Sequence, residues 1–123
     1  MRVAVSATNR TIESNVSDVF GRCPYFIIAE IKDKKIEKTE AIENEGIHQT
    51  SGAGISTAQL IAEKDVSAVI TRNIGPRALD VLEQFDIKIY SGEGTVKDAL
   101  QAFIDGKLEE IEKSGCEGCR YNR

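Results

Sequence analysis

The sequence predicts an α/β domain built on a mixed five-stranded sheet, with elements in the order βββαβαβα and helices on the faces of the sheet. Three observations point there. A Val-rich alternating run, Arg2 to Ser6, opens the chain. Two strand-like runs joined by Asp33-Lys34 follow as a hairpin. From residue 51 onward, helical periodicity alternates with short apolar runs, the pattern of parallel strands joined by right-handed helical crossovers.

Each element has its own justification. After the first strand, a polar stretch from Thr8 to about Arg22 reads as a long loop, a length that in compact domains usually marks function. Tyr25 to Ile31 is the second strand and Ile36 to Ile42 the third. In the third, Ile36, Lys38, Glu40 and Ile42 share one face, and so many charges suit the edge of a sheet. Asn44 to Thr50 forms a second loop carrying the only histidine, His48. Ser51-Gly52-Ala53-Gly54 then opens a helix with Ile55, Ala58 and Ala62 on one face. Val66 to Thr71 is apolar enough for a strand buried on both faces.

Gly75-Pro76 starts the next helix, because proline lacks a donor that the first helical position would leave unpaired. Ala78, Leu79, Leu82 and Phe85 are assigned to its inner face, and Ile87 to Tyr90 is the fifth strand. Thr95 and Asp98 have the spacing of a capping box, and Gly106 can close the last helix in the left-handed conformation. The domain therefore spans 1–108. Residues 109–123 read as a flexible tail, with Glu109-Glu110-Ile111-Glu112 a solvated helix extension and a Cys116-x-x-Cys119 pair beyond it.

Bulk properties exclude several function classes. With 123 residues the chain can bury a core without staples, and 41% hydrophobic and 29% charged residues are ordinary for a soluble globular protein. A formal charge of −4 disfavours a nucleic-acid partner, and no polybasic cluster or apolar span suggests a membrane. The first residues run into a strand rather than a signal peptide, so a cytoplasmic location is expected. Three cysteines, an odd number, argue for metal or redox chemistry rather than a disulfide framework.

The chemistry concentrates in Phe20-Gly21-Arg22-Cys23-Pro24-Tyr25-Phe26. A cysteine beside a fixed positive charge is a candidate thiolate, able to ligate iron or zinc. The competing reading makes Phe20, Tyr25 and Phe26 core and Cys23 a buried filler. His48 is either a second soft ligand brought to the same end of the sheet or a solvated loop residue. Gly52 and Gly54 offer backbone donors at a helix start to an anionic cargo, or simply a pliable helix start. Thr57 occupies the third glycine position of a dinucleotide fingerprint, which rules that motif out. Cys116 and Cys119 supply half of a zinc or iron–sulfur site, to be completed by Cys23, His48 or a second chain, or else they are a spare dithiol.

Four segments in order resemble the dinitrogenase iron-molybdenum cofactor biosynthesis family. They are the first strand, Phe20-Gly21-Arg22-Cys23-Pro24 with the aromatic strand after it, Ile74-Gly75-Pro76-Arg77-Ala78, and Ile87-Lys88-Ile89-Tyr90 leading into Gly94-Thr95-Val96. The resemblance covers about Met1 to Leu108. It implies a ribonuclease-H-like sheet and a non-enzymatic role in binding or carrying an iron–sulfur cluster, an iron-based cofactor like the iron-molybdenum one, or a precursor. Molybdenum itself is left open. It makes Cys23 and His48 plausible ligands, with Arg22 offsetting negative charge, and implies partner proteins that donate and accept the cofactor. Arg72-Asn73 stand where related sequences commonly carry a glycine, and the tail cysteines are outside the family pattern.

Alternatives from other classes are a regulatory or adaptor domain that binds a protein or an anionic metabolite, and a zinc or redox module centred on the tail dithiol. A nuclease is excluded by the absence of a carboxylate on the first strand. A serine triad is excluded because Ser6, Ser51 and Ser56 have one histidine between them and no assembled base.

Overall fold

The computed structural model describes residues 1–17, 20, 23–44, 53–74 and 76–111, without the side chains of 53–56, 76 and 77. Within them the chain runs β1 Arg2–Ala7, β2 Tyr25–Lys32, β3 Lys35–Glu43, α1 Ala53–Glu63, β4 Ala68–Thr71, α2 Pro76–Gln84, β5 Lys88–Ser91, α3 Val96–Ile104 and β6 Glu109–Ile111. The sheet has six strands in the order β3-β2-β1-β4-β5-β6. β1, β4 and β5 are parallel, whereas β2, β3 and β6 join antiparallel.

The sixth strand corrects the expected count and the reading of the acidic run. Glu109–Ile111 is not a helix extension; Ile111 pairs with Ile89, and Glu109 with Ser91. Gly106 makes this possible. At φ 73° it ends α3, and the Lys107 N–H donates to the Ala102 carbonyl, turning the chain back along β5. Both sheet edges are then charged strands, which discourages pairing with another chain.

Period-2 alternation divides the core into two layers. Ala4, Phe26, Ile28, Val69 and Ile89 face α1 and α2 and pack with Ala58, Ile61, Ala78, Leu79 and Leu82. Val3, Val5, Ile27, Ala29, Ala68 and Ile70 face α3 and pack with Val96, Ala99 and Leu100. β4 is buried at every position, as its unbroken apolar run requires. The hairpin turns through Asp33 and Lys34, both at positive φ, the conformation that matches strand twist. Phe85 departs from expectation: α2 stops at Gln84, and Asp86 at φ 60° with the Ile87 N–H on the Leu82 carbonyl ends it, leaving Phe85 exposed.

The stretch after β1 is also less free than its polarity suggests. Val16 bridges to Ala7 and Asn15 to Thr95. The N–H groups of Val96 and Lys97 donate to the carbonyls of Ser14 and Ile12, each at 2.8 Å. The first turn of α3 thus satisfies its orphan donors on this segment. Thr95 caps the helix as expected, accepting from the Asp98 N–H at 3.1 Å.

Candidate functional site

The parallel strands point their carboxyl ends in one direction, and the antiparallel hairpin delivers its loop roots to the same edge. Tyr25 at the start of β2 lies opposite both Ala7 at the end of β1 and Glu43 at the end of β3. Cys23 and Asn44 are therefore neighbours, although 21 residues separate them. The Asn44 backbone N–H donates to the Pro24 carbonyl at 2.9 Å, and its side-chain amide donates to the Cys23 carbonyl at 2.8 Å. Thr57 on α1 donates its hydroxyl to the Asn44 side-chain carbonyl at 3.0 Å.

Cys23 itself is completely buried, in the α1/α2 layer with Phe20 and Phe26, whose rings meet edge to face. Its thiol donates to the Phe20 carbonyl at 3.2 Å. Burial pushes the thiol up to about 12, against the smaller opposing effect of hydrogen bonding from the Ala7 backbone and the Asn44 side chain. The expected thiolate is thus not what this arrangement holds: Cys23 is a protonated thiol closing a turn, and ligation requires exposure of Sγ and loss of its proton.

Of the other predicted site residues, Gly54 lies in the first turn of α1, inside the helix and not ahead of it. Arg22, His48, Gly52, Cys116 and Cys119 lie outside the described residues. Among the described residues no group of three His, Cys, Asp or Glu is placed to hold a metal ion. What the edge does offer is a set of loop roots held at fixed positions. Phe20 ties the segment before β2 to the loop after β4, its N–H donating to the Asn73 carbonyl at 2.9 Å. Ser6 and Thr71, both fully buried, link the ends of β1 and β4 through their hydroxyls at 2.9 Å.

Sequence reasoning passed over Asn44, Thr57 and Arg10. Arg10 places its guanidinium 5.2 Å from the centre of the Tyr25 ring and 3.6 Å from Glu43, beside those loop roots. A side-chain hydrogen bond with Tyr25 raises its pKa further above the ordinary arginine range. An apolar helix face interrupted by one Thr was the available signal for Thr57; Asn44 and Arg10 gave none that distinguishes them from solvated loop residues.

The family called dinitrogenase iron-molybdenum cofactor matches residues 1–106. The chain belongs to that family. It is 37% identical over 113 residues to an uncharacterised protein of Methanocaldococcus jannaschii, covering 91% of this chain and 92% of that one. The apo form of the orange protein from Desulfovibrio gigas shares the fold with a TM-score of 0.81 at 30% identity, over 89% of this chain and 92% of the other. A NifB-like protein from Thermotoga does so with a TM-score of 0.76 at 35% identity, over 89% and 91%. By its description the family is related to the dinitrogenase iron-molybdenum cofactor. No helix among the described residues is long and apolar enough to cross a membrane.

Proposed function

We propose that this protein binds and hands on an iron–sulfur cluster or another iron-based metallocofactor, or a precursor, and catalyses no reaction. The observation that carries the reading is the joining of two loop roots by the Asn44 N–H and the Pro24 carbonyl at 2.9 Å, at the carboxyl edge of a sheet belonging to a cofactor family. Segments 18–22 and 45–52, which bear Arg22 and His48, both attach there.

Such an edge suits a preassembled anionic cargo better than a bare ion. A cluster needs one or two protein ligands and is otherwise held by backbone donors and positive charge. His48 supplies a ligand, Gly52 and Gly54 supply N–H groups, and Arg22 with Arg10 offsets negative charge. Cys23 joins as a second ligand when the turn opens; otherwise it keeps that turn closed. Few ligands and an opening step suit a carrier that must release its cargo to an acceptor protein after taking it from a donor.

The test is anaerobic loading with iron and sulfide, then desalting and metal analysis, on wild type, His48→Ala, Cys23→Ala and the double variant, each checked for folding by circular dichroism. Iron retained by wild type and lost in folded His48→Ala supports the reading. Loss in Cys23→Ala as well makes the thiol a ligand, and retention there leaves it a packing group. Iron held equally by the double variant, or by none of the four, overturns the site.

A further inference from the structure

The same edge carries a second concavity on the opposite face. β4 passes the chain to α2, which packs on the α1 side of the sheet, whereas the adjacent parallel strand β5 passes it to α3 on the other side. Neighbouring parallel strands whose connections leave to opposite faces part at their carboxyl ends, and open α/β sheets take ligands in that crevice. Here it is real space, about 660 Å³, within the range of small-molecule sites. It is bounded by the loops after β4 and β5, by α3 and by the turn into β6. Ala99 and Ala102 keep the helix wall low.

The lining decides what fits. Arg72 and Lys107 face the space together with Glu93, Asp98 and Glu109. Two cations against three carboxylates would repel a polyanion such as a sulfide-rich cluster or a phosphate, so this crevice is not the cargo site proposed above. A simple cation would meet Arg72 and Lys107. A ligand carrying both signs satisfies both sets, its carboxylate meeting the two cations through charge-assisted bonds. We infer that the crevice between β4, β5 and α3 binds a small zwitterion, a free α-amino acid, with its carboxylate toward Arg72 and Lys107 and its ammonium toward Glu93, Asp98 and Glu109.

The inference stands apart from the metallocofactor reading and is tested on metal-free, full-length protein. The protein-forming amino acids are titrated singly to about 10 mM, in the weak range of affinities, while backbone amide resonances are followed by NMR. The expected result is saturable shifts of Gly92, Glu93 and Ala99 with at least one amino acid. Its analogues lacking the amine or the carboxylate should bind about tenfold more weakly, as should it to Arg72→Gln and Asp98→Asn, in line with loss of a charge-assisted bond. Both positions are exposed, and unchanged amide spectra away from the crevice show that the variants fold. No saturable shift with any amino acid overturns the inference. So does equal binding of an analogue missing one charge, or of both variants.

Discussion

The Thr57 hydroxyl donates a 3.0 Å hydrogen bond to the side-chain carbonyl of Asn44, and neither residue reaches solvent. With its amide on the Cys23 carbonyl and its backbone N–H on that of Pro24, Asn44 binds α1, the end of β3 and the turn before β2 into one unit. A buried polar junction of this kind is costly when half undone, because the abandoned partners have no water to turn to.

Asn44→Ala strands the Cys23 carbonyl and the Thr57 hydroxyl. Each buried group left without a partner costs about 1–3 kcal/mol. Thr57→Val conserves shape and removes a single hydrogen bond to the Asn44 side-chain carbonyl, so its cost is the smaller of the two. Urea denaturation orders the pair, and an Asn44→Ala midpoint equal to that of wild type would show that the junction carries no stability.

The Cys23 thiol makes stability depend on alkaline pH. Burial raises it from an ordinary 9.0 to about 12. Between those values the unfolded chain releases a proton that the folded one keeps, so the stabilising contribution is whole below about pH 9 and is lost as pH rises toward 12. The wild-type urea midpoint should therefore fall more between about pH 8 and about pH 10.5 than that of Cys23→Ser, which keeps a donor for the Phe20 carbonyl but does not titrate there. Parallel declines would mean that the thiol ionises as freely in the fold as outside it.

Gly92 has no room for a side chain. A Cβ there would stand 2.5 Å from Cγ2 of the fully buried Ile70 and 3.4 Å from Cβ of Ala99. Gly92→Ala must push β4 and α3 apart, an overpacking cost of about 1–3 kcal/mol. Adding Ile70→Ala removes the clashing methyl, so the double variant should lose less than the sum of the singles. Strict additivity in thermal or urea unfolding would refute the clash.

How much of this was legible in the residues depends on the range of the interaction that decided each feature. The β1 alternation, the Thr95 cap, the Gly106 stop and the apolar run of β4 are written within a few neighbouring residues, and the fold follows them. β6 was missed because Glu109–Ile111 has no strand signature of its own; it is a strand only because Gly106 aims it at the open edge of β5. Phe85 was misplaced because Asp86 takes a left-handed φ that asparagine or glycine would have advertised more clearly. The site shows the same divide. Cys23 stood out by its residue type, but its protonation comes from burial with Phe20 and Phe26, against the smaller opposing effect of Asn44, contacts across the fold that spacing does not encode.

The placement of β6 also changes how the tail cysteines must be tested. A chain ending after Leu108 loses Ile111, which packs against the α1/α2 core, together with the partner strand of Ile89 to Ser91. That should cost about 1–3 kcal/mol, the range for losing a half-buried apolar side chain and its cross-strand neighbours. A chain ending after Glu112 keeps every described residue and should unfold like the full-length protein. Only the longer truncation product can therefore assign metal to Cys116 and Cys119. Zinc or iron bound by the full chain and lost by the chain ending at Glu112, with unfolding unchanged, belongs to the tail dithiol. Metal kept by that product excludes the dithiol as its holder, whereas loss on ending at Leu108 alone reports the fold and not the ligands.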